Sequence, residues 1–93
     1  MTKKEELYCL MSLYKKGRYD IATFCDELTR ILYYENNAIN ELVGHEREAF
    51  ETLGNVANRY SPYEDDRNAS KWYCDEEEVK KAIELAYSEL DHG

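Results

Sequence analysis

Apolar positions recur at helical spacing four times along the chain. Leu7, Leu10, Met11 and Tyr14 fall at i, i+3, i+4 and i+7, on one face of a first helix. Lys15 and Lys16 suit the negative end of that helix, and Gly17 suits the residue just beyond it. Asp20 predicts the N-cap of a second helix, whose stripe is Ile21, Phe24, Cys25, Leu28 and Ile31. That helix is expected to fade near Tyr34–Glu35, ahead of Asn36 and Asn37. Residues 36–44 fit either a helical turn or an ordered loop carrying Ile39, Leu42 and Val43. Gly44 disfavours a continuous helix by about 1 kcal/mol relative to alanine, so the third helix is placed from about His45, with Glu46 and Glu48 in its first turn. Its buried face reads Ala49, Phe50, Leu53, Val56, Ala57 and Tyr60. Pro62 is expected to end it, because the residue before a proline avoids the α region. Residues 61–74 are expected to be irregular. Asp75 and Glu78 then read as a capping box, followed by a stripe of Val79, Ala82, Ile83, Ala86, Tyr87 and Leu90. No segment alternates as a strand does. The fold class is therefore all-α, a small antiparallel four-helix bundle forming a single domain over 1–93.

Charge divides the chain unevenly. The net charge is −8, from 12 basic and 20 acidic side chains. Residues 1–60 hold 8 basic and 10 acidic groups, and residues 61–93 hold 4 and 10. An acidic surface repels nucleic acid and anionic membranes and attracts basic proteins; it also serves solubility. Three cysteines, Cys9, Cys25 and Cys74, give an odd count without close pairing and argue against a disulfide framework. Cys9 and Cys25 fall in helical patterns and read as core or near-core residues. Neither a signal peptide nor a membrane-spanning run is visible, which points to the cytoplasm.

Catalytic chemistry finds little footing. His45 and His92 are the two histidines, and neither has a second ligand at helical spacing, so no metal is expected. Glu64, Asp66, Asn68 and Asp75 are spaced somewhat like a calcium loop, but Ala69 stands where the turn glycine belongs. A nucleophile built from Cys9 or Cys25 with His45 is disfavoured by the apolar setting of both thiols. No glycine-rich phosphate loop exists. The chain reads as a binding protein without cofactors rather than an enzyme.

The acids and aromatics of the last third are the candidate surface. Asp75 and Glu78 serve the start of the last helix, leaving Glu76 and Glu77 to face outward. Glu64, Asp65 and Asp66, read as following a helix end, repel one another there without benefit from a dipole. Tyr63, Trp72 and Tyr73 lie beside these acids. They either anchor an interface, as tyrosine and tryptophan often do, or fold the segment down onto the bundle. Tyr8, Tyr14, Tyr33, Tyr60 and Tyr87 fit half-buried positions with their hydroxyls in water.

The run Asn58-Arg59-Tyr60-Ser61-Pro62-Tyr63-Glu64-Asp65-Asp66, a short aromatic segment, and Asp75-Glu76-Glu77-Glu78-Val79 together resemble the colicin D immunity protein-like family. The opening is similar too: a short helix, a basic-glycine break, then Phe24 with Asp26, Glu27 and Arg30. The resemblance implies an all-helical immunity protein that binds a cognate bacterial toxin nuclease, typically one that cuts tRNA. It implies that acids cover the basic site meant for the RNA backbone. Glu64, Asp65 and Asp66 would carry that role by position; Tyr63, Trp72, Glu76 and Glu77, candidate surface by their own setting, complete the expected toxin-binding face. Arg59 and Pro62 would support them, with Arg59 tethering the acidic segment through an acid or a carbonyl. The expected partner is a basic nuclease domain, with no direct nucleic-acid or membrane contact, bound by a monomer in the cytoplasm. The rival reading is an acidic helical adaptor or regulatory subunit that binds another protein.

Overall fold

Thr2 opens the first helix with a reciprocal cap: its hydroxyl accepts from the Glu5 amide while the Glu5 carboxylate accepts from the Thr2 amide. The computed structural model describes residues 2–34 and 37–92, with backbone alone at 91 and 92. Helix α1 spans Lys3–Lys15. It ends as Gly17 predicts. Gly17 has φ +78°, its amide donates to the Tyr14 carbonyl at 2.9 Å, and the Arg18 amide reaches back to Leu13 at 3.0 Å. Helix α2 spans Ile21–Thr29, and Asp20 caps it by accepting from the Thr23 amide at 2.8 Å. The chain then widens into a π-helical turn, Arg30–Tyr34. The expected break at Glu35 and Asn36 lies outside the described residues. A 3₁₀ turn, Ala38–Glu41, follows and leads to helix α3, Gly44–Asn58. Residues 38–41 are thus a helical turn with Ile39 buried, while Leu42 and Val43 are extended; Leu42 is buried, but Val43 is 77 % exposed and contributes nothing to the core.

Two expectations fail beyond this point. Helix α3 stops at Asn58, well short of Pro62. The Arg59 and Tyr60 amides close its last turn by bonding to Val56 and Ala57, and Tyr60 then pairs with Cys74 in an isolated parallel β-bridge. The segment expected to be irregular contains a further helix, α4, Glu64–Ala69. Helix α5, Glu76–His92, is the last of five α-helices among the described residues. Its start is capped by Asp75, whose carboxylate accepts from the Glu78 amide at 2.9 Å. Among the described residues the fold is all-helical without a strand, and no helix is long and apolar enough to cross a membrane.

The expected stripes meet in one core. Leu7, Leu10 and Met11 of α1 pack with Phe24, Cys25 and Leu28 of α2, Phe50 and Leu53 of α3, and Val79 and Ile83 of α5. Helix α3 packs most extensively against α5 and next against α2. The radius of gyration is 12.9 Å, close to the roughly 12 Å of a folded chain of this length. Cys9 departs from its expected place. It is exposed, one position off the Leu7–Leu10–Met11 stripe, whereas Cys25 is buried and its thiol is pushed up to about 12, chiefly by that burial. Two tyrosine hydroxyls expected in water are bonded to protein instead. Tyr87 donates to the Met11 carbonyl, joining α5 to α1, and Tyr8 donates to Glu46, joining α1 to α3. Burial and that contact with Glu46 raise the Tyr8 phenol well above its ordinary value.

Gly54 admits the π-helical turn against α3. An added Cβ would lie 2.7 Å from the Tyr33 hydroxyl and 2.9 Å from Leu32 Cδ1, and Leu32 is fully buried. Overpacking a core costs about 1–3 kcal/mol, and alanine returns about 1 kcal/mol of helix propensity. Gly54→Ala is therefore expected to lose up to about 2 kcal/mol in a urea titration. An unchanged or raised midpoint would show that the turn is free to retreat.

Candidate functional site

Ser61 is polar, yet only 4 % exposed. A buried polar residue must satisfy its hydrogen bonds locally, and Ser61 satisfies all of them. Its amide donates to the Cys74 carbonyl at 3.1 Å, and its carbonyl accepts from Arg67 Nη1 at 2.7 Å. Its hydroxyl donates to Asp66 Oδ2 at 2.9 Å and accepts from the Tyr63 amide at 3.2 Å. The neighbouring Cys74 amide donates to the Arg59 carbonyl at 2.7 Å. One residue thereby fixes the end of α3, the first turn of α4 and the approach to α5.

This arrangement corrects the reading of the acidic run. Glu64, Asp65 and Asp66 form the first turn of α4, where the exposed amides of the helix favour negative charge. Asp66 is half-buried and committed to Ser61. Glu64 and Asp65 are exposed, and their side chains make no hydrogen bond or ion pair among the described residues. Arg59 does not tether the segment through its side chain. Its Nε donates to the Asn55 carbonyl of its own helix at 3.3 Å, and the tether is Arg67. Pro62 is exposed and introduces α4 rather than terminating α3.

The aromatic rings remain in solvent. Tyr63 is 67 % exposed and Trp72 is 51 % exposed, so neither folds the segment onto the core. Trp72 meets the half-buried Tyr73 edge to face, with centroids 5.1 Å apart, and its amide donates to the Ser70 hydroxyl at 3.2 Å.

Glu76 and Glu77 face outward at the start of α5. Lys80 Nζ lies 3.4 Å from Glu76 and 3.9 Å from Glu77, and the Glu76 carboxylate holds the Lys80 ammonium above its ordinary pKa. Such exposed pairs are weak and leave the carboxylates available. A hollow of about 280 Å³ is lined by Tyr60, Pro62, Arg67, Asp75, Glu76 and Glu77. It brings Pro62, Glu76 and Glu77 together, while Tyr63, Glu64, Asp65 and Trp72 flank it along the chain without lining it. Among the described residues no group of three or more His, Cys, Asp and Glu side chains could hold a metal ion; the His92 side chain lies outside them. The Cys74 thiol is buried, and desolvation raises its pKa against the opposing pull of Arg59.

The residues that sequence reading missed are Ser61, Arg67 and Cys74. A signal for the first was present: Ser-Pro followed by acids is the pattern of a helix start as much as of a stop. No protein-family model matches the chain, and neither a curated protein nor a solved structure is significantly similar to it.

Ser61→Ala would strand the Tyr63 amide and half-buried Asp66, and a loss of about 1–3 kcal/mol is expected. Arg59→Ala removes only a bond at the helix surface and is expected to stay within about 0.5 kcal/mol of wild type. Thermal melts of the two variants check this, and the reverse ranking would restore Arg59 as the tether.

Proposed function

We propose that the chain is an immunity protein, which binds and inhibits a cognate bacterial nuclease toxin, of the kind that cuts tRNA or other RNA. The observation that carries the reading is the pair of exposed rings, Tyr63 and Trp72, in a segment with uncommitted carboxylates at Glu64 and Asp65 and exposed ones at Glu76 and Glu77 that share Lys80. Tyrosine and tryptophan are frequent interface anchors, and here two exposed rings lie within one short acidic segment. Six carboxylates against two basic side chains across residues 61–77 supply the charge that a phosphate-binding site attracts.

A nuclease active site is basic because it holds a polyanion. An acidic inhibitor approaches it faster than a neutral one and then excludes substrate by occupancy. The Ser61 node holds the acids before the partner arrives, so little ordering entropy opposes binding. The longer helices act as the antiparallel bundle that carries this face. The protein works as a monomer in the cytoplasm of the cell it protects, without a cofactor and without touching nucleic acid itself.

Asp66 is excluded from the test because it serves the fold. The double reversal Asp65→Lys with Glu76→Lys is expected to weaken binding to the cognate nuclease domain by about 2–5 kcal/mol, which is thirty-fold or more. Reversing charge in the first turns of α4 and α5 is expected to cost about 1–2 kcal/mol of stability and to leave the protein folded, which a thermal melt checks. Raising salt is expected to slow association of wild type more than of the double variant. Calorimetry and stopped-flow measurements at two salt concentrations check both points. Wild-type affinity in the double variant at either salt would remove this face from the mechanism and favour an adaptor that uses another surface.

A further inference from the structure

A second, larger groove, of about 580 Å³, opens between the α1–α2 turn and α5. Three tyrosines, Tyr14, Tyr19 and Tyr87, and three carboxylates, Asp20, Glu76 and Glu84, line it. Two lysines also reach it, and both are already engaged. Lys15 holds its ammonium 5.3 Å from the centroid of the Tyr87 ring, and Lys80 pairs with Glu76 and Glu77. Asp20 is occupied as the cap of α2. Glu84 is exposed and makes no hydrogen bond or ion pair among the described residues. It lies within electrostatic range of Tyr14, together with Glu76 and Lys80.

Rings beside a free carboxylate favour a cation, and the position of Lys15 shows that a ring face here already accepts one. Arginine suits the place better than lysine. Its guanidinium is planar, stacks on aromatic faces, sheds water more readily and can pair with a carboxylate through two N–H groups. Glu76 lines both this groove and the smaller hollow of the acidic face, so a basic protein seated on that face would reach both.

We infer that the groove receives a single arginine side chain of the partner, its guanidinium laid against the tyrosine rings and paired with Glu84. That the partner is a basic nuclease rests on the proposed function; the groove's preference for a guanidinium can be tested without any nuclease.

The test titrates the free, ¹⁵N-labelled protein with N-acetyl-arginine methylamide, its lysine counterpart and its uncharged citrulline counterpart. The arginine compound is expected to give saturable shifts at the amides of Gly17, Tyr19, Ile83 and Glu84, the lysine compound weaker ones, and the citrulline compound none. Glu84→Gln, which leaves the core untouched, is expected to weaken the arginine compound about ten-fold. Citrulline matching arginine, shifts confined to other residues, or unchanged affinity in Glu84→Gln would each overturn the inference. If the groove takes the arginine compound but no nuclease binds the protein, the immunity reading fails alone. If a nuclease binds and Glu84→Gln changes neither its affinity nor that of the arginine compound, the groove assignment fails alone.

Discussion

The surface of this protein depends on how one buried serine spends its hydrogen bonds. Between the end of α3 and the start of α5 the chain buries little apolar side chain, Cys74 being the one hydrophobic residue of the stretch that is buried. It substitutes polar geometry: the Ser61 amide and carbonyl are taken by Cys74 and Arg67, and its hydroxyl by Asp66 and Tyr63. In a site sheltered from water, leaving any of these groups unpaired would cost more than the bond itself contributes. The four contacts therefore hold as a set. Because they hold, Tyr63 and the α4 acids project from a fixed base, and the short α4 survives despite having no buried residue of its own.

The scaffold beneath is held by ordinary means, with one tight constraint. Helix α3 is the central element, packed on α5 and α2, and its Gly54 permits Tyr33 and fully buried Leu32 to approach its backbone. The widening of the chain after α2 delivers adjacent residues, Ile31 and Leu32, into the core. Polar ties then lock the helices in register, with Tyr87 bonding to Met11 and Tyr8 to Glu46.

Legibility in the sequence followed the strength of the local signal. Helices α1, α2 and α5 could be read because each joins an apolar stripe to a terminus signal: Gly17 beyond α1, Asp20 before α2, and Asp75 before α5. Helix α4 could not be read from periodicity, since six residues with none buried carry no stripe. Pro62 was ambiguous between ending one helix and opening the next, and the bridge between Tyr60 and Cys74 settles it by drawing the chain away from α3 early. Of the candidate surface, Glu64, Asp65, Glu76 and Glu77 are exposed as the sequence reading expects, and of the two alternatives open for Tyr63 and Trp72 the rings take the exposed one. The Arg59 tether is not found, and Asp66 is bonded to Ser61, because each depends on which of several nearby groups lies within bonding distance, and sequence separation does not encode that. The groove between the α1–α2 turn and α5 joins residues more than fifty positions apart and was invisible for the same reason.

The central claim is that residues 63–77 form the face that meets a basic nuclease. Amide hydrogen exchange, followed on the chain alone and in complex with the cognate nuclease domain, tests it most directly. The account predicts slowed exchange across α4, around Trp72 and in the first turn of α5, with the exposed side of α1 near Cys9 and Ser12 unchanged. Protection confined to α1 and α3, with residues 63–77 exchanging as they do in the free protein, would contradict it.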